Sequence, residues 1–506
     1  MIHDASALET PLALRADLCV VGSGAGGAMV AMVAAEAGLD VVMLEAGGFV
    51  PPQAMTQREE QMVPRLLWDH GGRTTSDRAV AIHQGRALGG STVHNLNLAK
   101  RIPDAILAAW RRDRGLTHLP AERWRALYEE VEALLEVSIV PEARWNRHNQ
   151  VLRDGARALG WRGGGLAHNR SGCLGSGFCE LGCAYDAKNN AAKVLLPRAV
   201  RAGARVLTHA QAVRVSHAGG VVRGVDAVAL HARTREPLGR IAIRAPRVCV
   251  SASATGSAAL LLRSEVPDPG GETGRGLRVH PALVAAAEMP EDVRAWEGIP
   301  QTYECTEHLS LTGREPAPPR SRIWIVPAFA HPVGTATMLP GLGDDHLRLM
   351  RLYPRLAVLT AMIHDRSSGV VRPSGGLGLT IDYWPDAADR AELLAGLLAA
   401  AELLFAAGAR RVFLPTDPVT ELGPSDPLRA PALEPGSMPV TAVHPMASIP
   451  MGDDPRVAAV GSDGAHHHVE GLFVADGSLF PTSIGVPPQI SIYALGLHVG
   501  RAIVRR

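Results

Sequence analysis

The chain has 506 residues, 46% of them hydrophobic, and a formal net charge of +1 from 51 basic and 50 acidic side chains. That length exceeds what one simple core supports and predicts two domains, while the balanced charge excludes a nucleic-acid or membrane-surface role built on electrostatics. Six cysteines in so long a chain make no disulfide scaffold. Residues 1–15 carry no basic region followed by a long apolar stretch, and no window reaches 18 uninterrupted apolar residues. Neither a signal peptide nor a transmembrane segment is expected, and the expected compartment is cytoplasmic.

In chain order, residues 16–45 read as a strand, a glycine turn, a small-residue helix and a second strand ending in an acid. Gly22 permits the tight turn, Gly24 lets the backbone approach a pyrophosphate, and Gly27 lets the helix pack close to the strand. The helix that starts near Ala25 directs its free N–H groups and the positive end of its dipole at the phosphates. Glu45 lies 23 positions after Gly22, placed to take the hydroxyls of an unphosphorylated adenosine ribose. The pattern predicts a dinucleotide site in an α/β fold.

Residues 47–84 are irregular, with Pro51, Pro52, Pro64 and Gly71-Gly72, an excursion suited to a lid. A helical pattern covers 120–137, whereas 141–185 is rich in Gly, Arg and Cys and shows little periodicity. A helix follows at about 190–203, then strands around 205–231 and 240–252, the last running into a helix at 257–263. Residues 282–435 change character, with many prolines, strand-like runs at 321–329 and 355–363 and one strong helix at 386–407. An apolar strand ending in an acid returns at 469–476, before a helix at about 489–504. The division expected is a discontinuous dinucleotide domain, 15–281 with 436–506, and a sheet-based substrate domain, 282–435.

Four further segments carry a family resemblance. Gly85-Arg86-Ala87-Leu88-Gly89-Gly90-Ser91-Thr92-Val93-His94-Asn95 resembles the glycine-rich flavin loop of the glucose–methanol–choline (GMC) oxidoreductases. Residues 253–264, followed by Gly276-Leu277-Arg278-Val279-His280-Pro281, are similar to a later segment of that family. Residues 364–372 resemble the start of its C-terminal region in the fatty-alcohol and cholesterol oxidase-like branches. His444-Pro445-Met446-Ala447-Ser448-Ile449-Pro450-Met451-Gly452 and residues 474–483 resemble its two C-terminal signatures. The resemblance runs in order from about residue 16 to 504. It implies FAD, a Rossmann-like flavin domain assembled from separated segments, and oxidation of an alcohol to a carbonyl by hydride transfer to flavin N5.

Within that resemblance His444 is the expected base, because an imidazole titrates near neutral pH. The loop from Gly89, Gly90 and Ser91 to Asn97 is expected at the flavin ring, with Asn95 and Asn97 as polar contacts. Asp476, Gly477, Pro488 and Gln489 are expected over the pyrophosphate and pyrimidine end, and the Val213 backbone at the adenine. His94 before Asn95 matches the order in which choline oxidase-like members bond a histidine covalently to the flavin; other members leave that position unbonded. The chain departs from the pattern at Pro487, where relatives carry an asparagine or histidine. Proline offers no donor, so either His444 works with a substitute donor or the protein is a non-oxidative or photochemical flavin enzyme, a lyase or decarboxylase. Cys173, Cys179 and Cys183 sit in one loop; buried reduced thiols are expected there, with an iron–sulfur cluster, a disulfide or a reactive thiol as alternatives. His466-His467-His468 reads as a polar surface turn. The substrate expected is an apolar or bulky alcohol, a composition argument from Leu, Pro, Ala and Trp296, Trp324 and Trp384, and the electron acceptor oxygen, a quinone or a redox protein.

Overall fold

The computed structural model describes residues 1–9, 11–314, 317–328 and 330–506. The expected strand run at 321–329 is the strand Ile323–Pro327, and Phe329 lies outside the described residues. The dinucleotide half is a six-stranded parallel sheet in the order Ile2–Asp4, Arg205–Thr208, Val41–Leu44, Leu18–Val21, Arg247–Val250 and Leu472–Val474. Every residue of Leu18–Val21 and Val41–Leu44 is buried, as a parallel strand covered on both faces requires. The helix Ala25–Glu36 is nearly all small or apolar residues and lies buried between this sheet and the C-terminal helix Gln489–Arg505. Those two helices approach closely through Gly26, Gly496 and Gly500; a Cβ on Gly496 would sit 2.7 Å from the Gly26 carbonyl oxygen.

Beside it lies a four-stranded sheet of Ala210–Ala218, Val221–Leu230, Pro237–Arg244 and Leu12–Arg15. The larger second sheet runs Thr420–Leu422, Arg411–Leu414, Ala282–Glu288, Leu356–Ile363, Ile323–Pro327, Tyr303–Cys305 and Gly163–Gly165. Two more strands join it, Val440–Ala442 and Val80–Ile82, so segments from outside 282–435 complete this sheet. The helix Ala387–Ala406 packs on it, with Gly396 against Ala361 and Ile323.

The region 141–185 holds a 13-residue helix, Arg147–Leu159, that its periodicity did not reveal. Its buried face mixes Val151 and Leu152 with Gly155 and Ala156, small residues that weaken the apolar signal. A Cβ on Gly155 would stand 2.2 Å from the Leu403 carbonyl oxygen, so the small face is what lets the two helices meet. Both ends are capped: the Asn146 side chain accepts from Asn149 N–H at 3.0 Å, and Gly160 takes the left-handed conformation at φ 68°. The helix expected at 257–263 begins four residues earlier, as Ser253–Arg263. The 47–84 excursion contains a short helix, Glu59–Leu66, along the wall of the central cavity.

Candidate active site

A cavity of about 1450 Å³ lies between the two large sheets. It exceeds the usual range for one small ligand and has room for a dinucleotide and a substrate together. Its floor is the glycine turn. Gly22, at φ +95°, lies against the backbone of Ser251, where a Cβ would come within 2.3 Å of the carbonyl oxygen. Gly24 differs: a Cβ there would meet no atom within 4 Å, because it would point into the open cavity. Gly27 does not line the cavity; its place against the Gly22 carbonyl, 2.0 Å from a hypothetical Cβ, is the close packing its position predicts. Ala25, Gly22 and Gly24 present the N-terminus of the helix Ala25–Glu36 to the cavity.

Glu45 ends the strand Val41–Leu44 and lines the cavity with its carboxylate engaged by the turn. It accepts from Ser23 N–H (3.0 Å), Ser23 Oγ (2.6 Å) and Gly47 N–H (2.7 Å). Burial pushes its pKa up, and these three donors pull it back. Asp476 is buried in the same way, accepting from Ser257 Oγ at 2.5 Å and Ser478 N–H at 2.9 Å. With Gly477, Pro487, Pro488 and Gln489 it lines the same cavity.

The loop from Gly89 to Asn97 closes the next wall, with Gly90, Ser91, His94, Asn95 and Asn97 on the cavity. Gly89 sits just behind, donating its N–H to Ser23 Oγ at 2.9 Å and so joining the loop to the glycine turn. Asn95 and Gln489 bind each other, Asn95 Nδ2 donating to Gln489 Oε1 at 2.6 Å, while Gln489 Nε2 donates to Leu98 O and Asn169 Oδ1. Their side-chain polar groups therefore hold the loop to the C-terminal helix, an arrangement the sequence did not suggest. Lys188 is a second anchor that sequence reasoning passed over. Its ammonium is buried and donates to the carbonyls of Val93, Asn95 and Cys179; burial lowers its pKa to about 8. His94 turns to the cavity, with Nε2 buried and lacking a hydrogen-bond partner, and burial pushes its pKa down to about 3. Val213 is the residue at a register shift between Ala212 and Arg214; Gln211 and Ala212, not Val213, reach the cavity.

His444 stands at the opposite wall, after the strand Val440–Ala442, and burial lowers its pKa to about 3. Its Nδ1 lies 3.1 Å from Nδ1 of His280, and Gly485 N–H donates to His280 Nε2 at 2.9 Å. His280 is thus a neighbour of the expected catalytic histidine. His83 also opens onto the cavity; its N–H donates to Ala442 O at 3.0 Å, and parallel pairing of Val80–Ile82 with Val440–Ala442 places it beside Val443. The rest of this wall is mostly apolar: Ala282, Val284, Trp324, Met362, Met438 and Val440, with Thr360 and Gln301 as polar exceptions. Of the tryptophans singled out from composition, Trp324 lines the cavity; Trp296 instead stacks on Tyr353 at 4.7 Å and Trp384 packs on the core.

All six cysteines are free thiols, but Cys173, Cys179 and Cys183 are partly exposed where burial was expected, because their loop lies at the surface. Cys183 Sγ accepts from Ala187 N–H at 3.2 Å and Cys173 Sγ from Arg170 at 3.5 Å. Among the described residues no group of three His, Cys, Asp or Glu is placed to hold a metal ion, so the cluster alternative for Cys173, Cys179 and Cys183 gains no geometric support. The 466–468 histidines are less exposed than a surface turn implies: His466 is buried, and His467 and His468 bond the carbonyls of Gly452 and Pro455. Among the described residues no helix is long and apolar enough to cross a membrane.

A Rossmann-type sheet, a glycine cradle backed by a helix N-terminus and a reaction chamber under a second sheet define a dinucleotide-dependent oxidoreductase. The chain belongs to the GMC oxidoreductase family, whose N-terminal region matches residues 21–282 and whose C-terminal region matches residues 366–496. It is 34% identical to an uncharacterized GMC-type oxidoreductase of Mycobacterium tuberculosis over 98% of this chain and 77% of that one. It is 28% identical to a long-chain-alcohol oxidase of Arabidopsis thaliana over 97% of this chain and 67% of that one. Its fold is similar to that of pyridoxine 4-oxidase from Mesorbium loti, with TM-score 0.71, 20% identity and coverage of 97% and 99%. The protein is an FAD-dependent oxidoreductase, and the open space over Gly24 and the unpartnered His94 nitrogen fit that cofactor.

Proposed function

We propose that this protein oxidises the CH–OH group of an apolar alcohol to a carbonyl. The observation that supports it most directly is that His444 opens onto the same cavity whose floor is the glycine turn. Gly22, Gly24, Ala25 and Glu45 would hold the ADP half, and the 89–97 loop with Asp476, Gly477, Pro488 and Gln489 the flavin half. Bound FAD supplies the acceptor for the hydride that leaves the carbinol carbon. The chain's part is to fix that carbon, hold the oxygen and remove the hydroxyl proton. Positioning of this kind can supply roughly 7–11 kcal/mol of the barrier.

His444, the expected base, is the imidazole that meets the hydroxyl group. Burial lowers the pKa of His444 to about 3, so it is neutral at physiological pH. The wall of Ala282, Val284, Trp324 and Met362 suits an aliphatic chain, and the likeness to long-chain-alcohol oxidases supports the same substrate class.

The test is anaerobic mixing of FAD-loaded protein with primary alcohols of increasing chain length, followed by flavin absorbance. Bleaching that strengthens with chain length is expected, and His444→Ala should slow it by about 10²-fold or more while leaving flavin bound. A flavin that stays oxidised with every alcohol would favour a lyase-type reaction, for which Pro487 in the cavity wall is the motivating feature.

A further inference from the structure

The two hydrogen bonds behind His444 determine where its proton resides. A backbone N–H can only donate, so Gly485 N–H, 2.9 Å from His280 Nε2, requires an unprotonated nitrogen there. The proton of His280 is then on Nδ1. That atom lies 3.1 Å from His444 Nδ1, and two ring nitrogens at this distance share one proton between them. His280 donates it and His444 accepts. The reverse arrangement would need the His280 proton on Nε2, leaving two N–H groups facing each other at Gly485. A cationic His280 fails for the same reason, and burial independently drives its pKa well below the ordinary value. Neutral His444, with Nδ1 accepting, carries its own proton on Nε2. That nitrogen has no hydrogen-bond partner among the described residues, and the side chain faces the cavity.

We infer that His280 is a positioning residue that locks His444 in the Nε2–H tautomer, so that His444 offers the substrate oxygen a hydrogen-bond donor and not the lone pair of a base. The inference rests on the alcohol-oxidation reading for its catalytic meaning, but the tautomer itself follows from the geometry. It also accounts for Pro487. The donor that proline cannot provide comes from His444, held there through His280 and the backbone of Gly485, two residues before that proline. The hydroxyl proton must then go elsewhere. It passes to solvent water reaching the open cavity that the unpartnered side of His444 faces. The balance is closed: the carbinol carbon loses a hydride, for which bound oxidised FAD would be the acceptor, the hydroxyl proton passes to solvent water, and His444 keeps its own proton throughout.

The tautomer can be read without turnover. In holoenzyme labelled with ¹⁵N-histidine, two-bond ¹H–¹⁵N correlations distinguish the two neutral forms, and the His444 pattern is identified by its absence in His444→Gln. The expected result across neutral pH is a protonated Nε2 and an unprotonated Nδ1 in His444; the opposite pattern overturns the inference whatever the activity. His280→Phe should release the tautomer and lower kcat for alcohol by about 10²-fold with little change in KM, the effect of losing one well-placed donor. His280→Asn, which keeps an N–H directed at His444 Nδ1, should recover most of that loss. Equal activity in wild type and His280→Phe, with flavin bound in both, would refute the positioning role. Should wild type reduce no alcohol while His444 shows the expected tautomer, the substrate reading falls and the tautomer stands.

Discussion

Acidification provides a sharp test of the buried polar structure. His148, His331, His466 and His498 are buried, and burial holds their pKa values near 4; His364 is held near 3. In the unfolded chain each returns to about 6.5. Because the folded values are depressed, the unfolded state binds more protons below pH 6.5, and stability falls as pH drops through that value toward 4. At about pH 5 each such histidine costs roughly 2 kcal/mol, so the five together cost on the order of 10 kcal/mol. Glu180 works in the other direction: burial raises it to about 7, and it returns roughly 2–3 kcal/mol over the same interval. Glu45, Asp365 and Asp476 are raised as well and add to that return. A net loss of roughly 5 kcal/mol or more is a large share of the ~5–15 kcal/mol of a typical fold. Urea titrations of the FAD-loaded protein at about pH 7.5 and about pH 5, followed by tryptophan fluorescence, measure it. His148→Gln should shrink the difference between the two pH values by ~2 kcal/mol. Coincident urea midpoints at both pH values would refute the argument.

Two glycines should separate packing from cofactor binding. In Gly26→Ala the new Cβ would sit 1.6 Å from the Ala475 carbonyl oxygen; the forced shift should lower stability by at least ~2 kcal/mol in urea titration. In Gly24→Ala the Cβ enters empty cavity, so apoprotein melting should not move while the FAD dissociation constant rises about tenfold, or ~1.4 kcal/mol. Lys188→Met strips the donor from three buried carbonyls and should destabilise the protein by ~3 kcal/mol with faster flavin loss, as followed by fluorescence of released FAD.

What could be read from the sequence divides along physical lines. The strand–turn–helix–strand unit at residues 16–45 was legible because its glycines, apolar runs and acid each have a local cause, and the structure places Ala25–Glu36 and Val41–Leu44 accordingly. The helix Ala387–Ala406 was legible from its length and from the Asp386 side chain, which caps it by accepting from Asp389 N–H. Arg147–Leu159 was hidden because its packing face relies on glycine and alanine, whose value appears only when Leu403 is brought alongside. At the site, motif positions singled out the glycine turn, the 89–97 loop, His444 and the 476–489 segment, which share one cavity, but not its apolar wall. The partners of those residues were not legible: His280 lies 164 positions from His444, Gln489 lies 394 from Asn95, and no local pattern joins them. Lys188 was likewise passed over, because nothing in the sequence marks the three carbonyls that converge on it.

The last strand of the Rossmann-type sheet, Leu472–Val474, pairs with Arg247–Val250 across more than two hundred intervening residues. A ribosome making this chain therefore releases the glycine turn, its helix and the other five strands long before the element that completes their sheet. Through that interval the strand Arg247–Val250 has an open edge, and the helix Ala25–Glu36 lacks the C-terminal helix that covers it. Contacts so far apart in sequence form slowly and leave apolar surface exposed in the meantime. The cofactor cradle is therefore synthesised well before its sheet and helix cover are finished, so flavin capture waits for residues 472–505, and truncation before Leu472 removes cofactor binding.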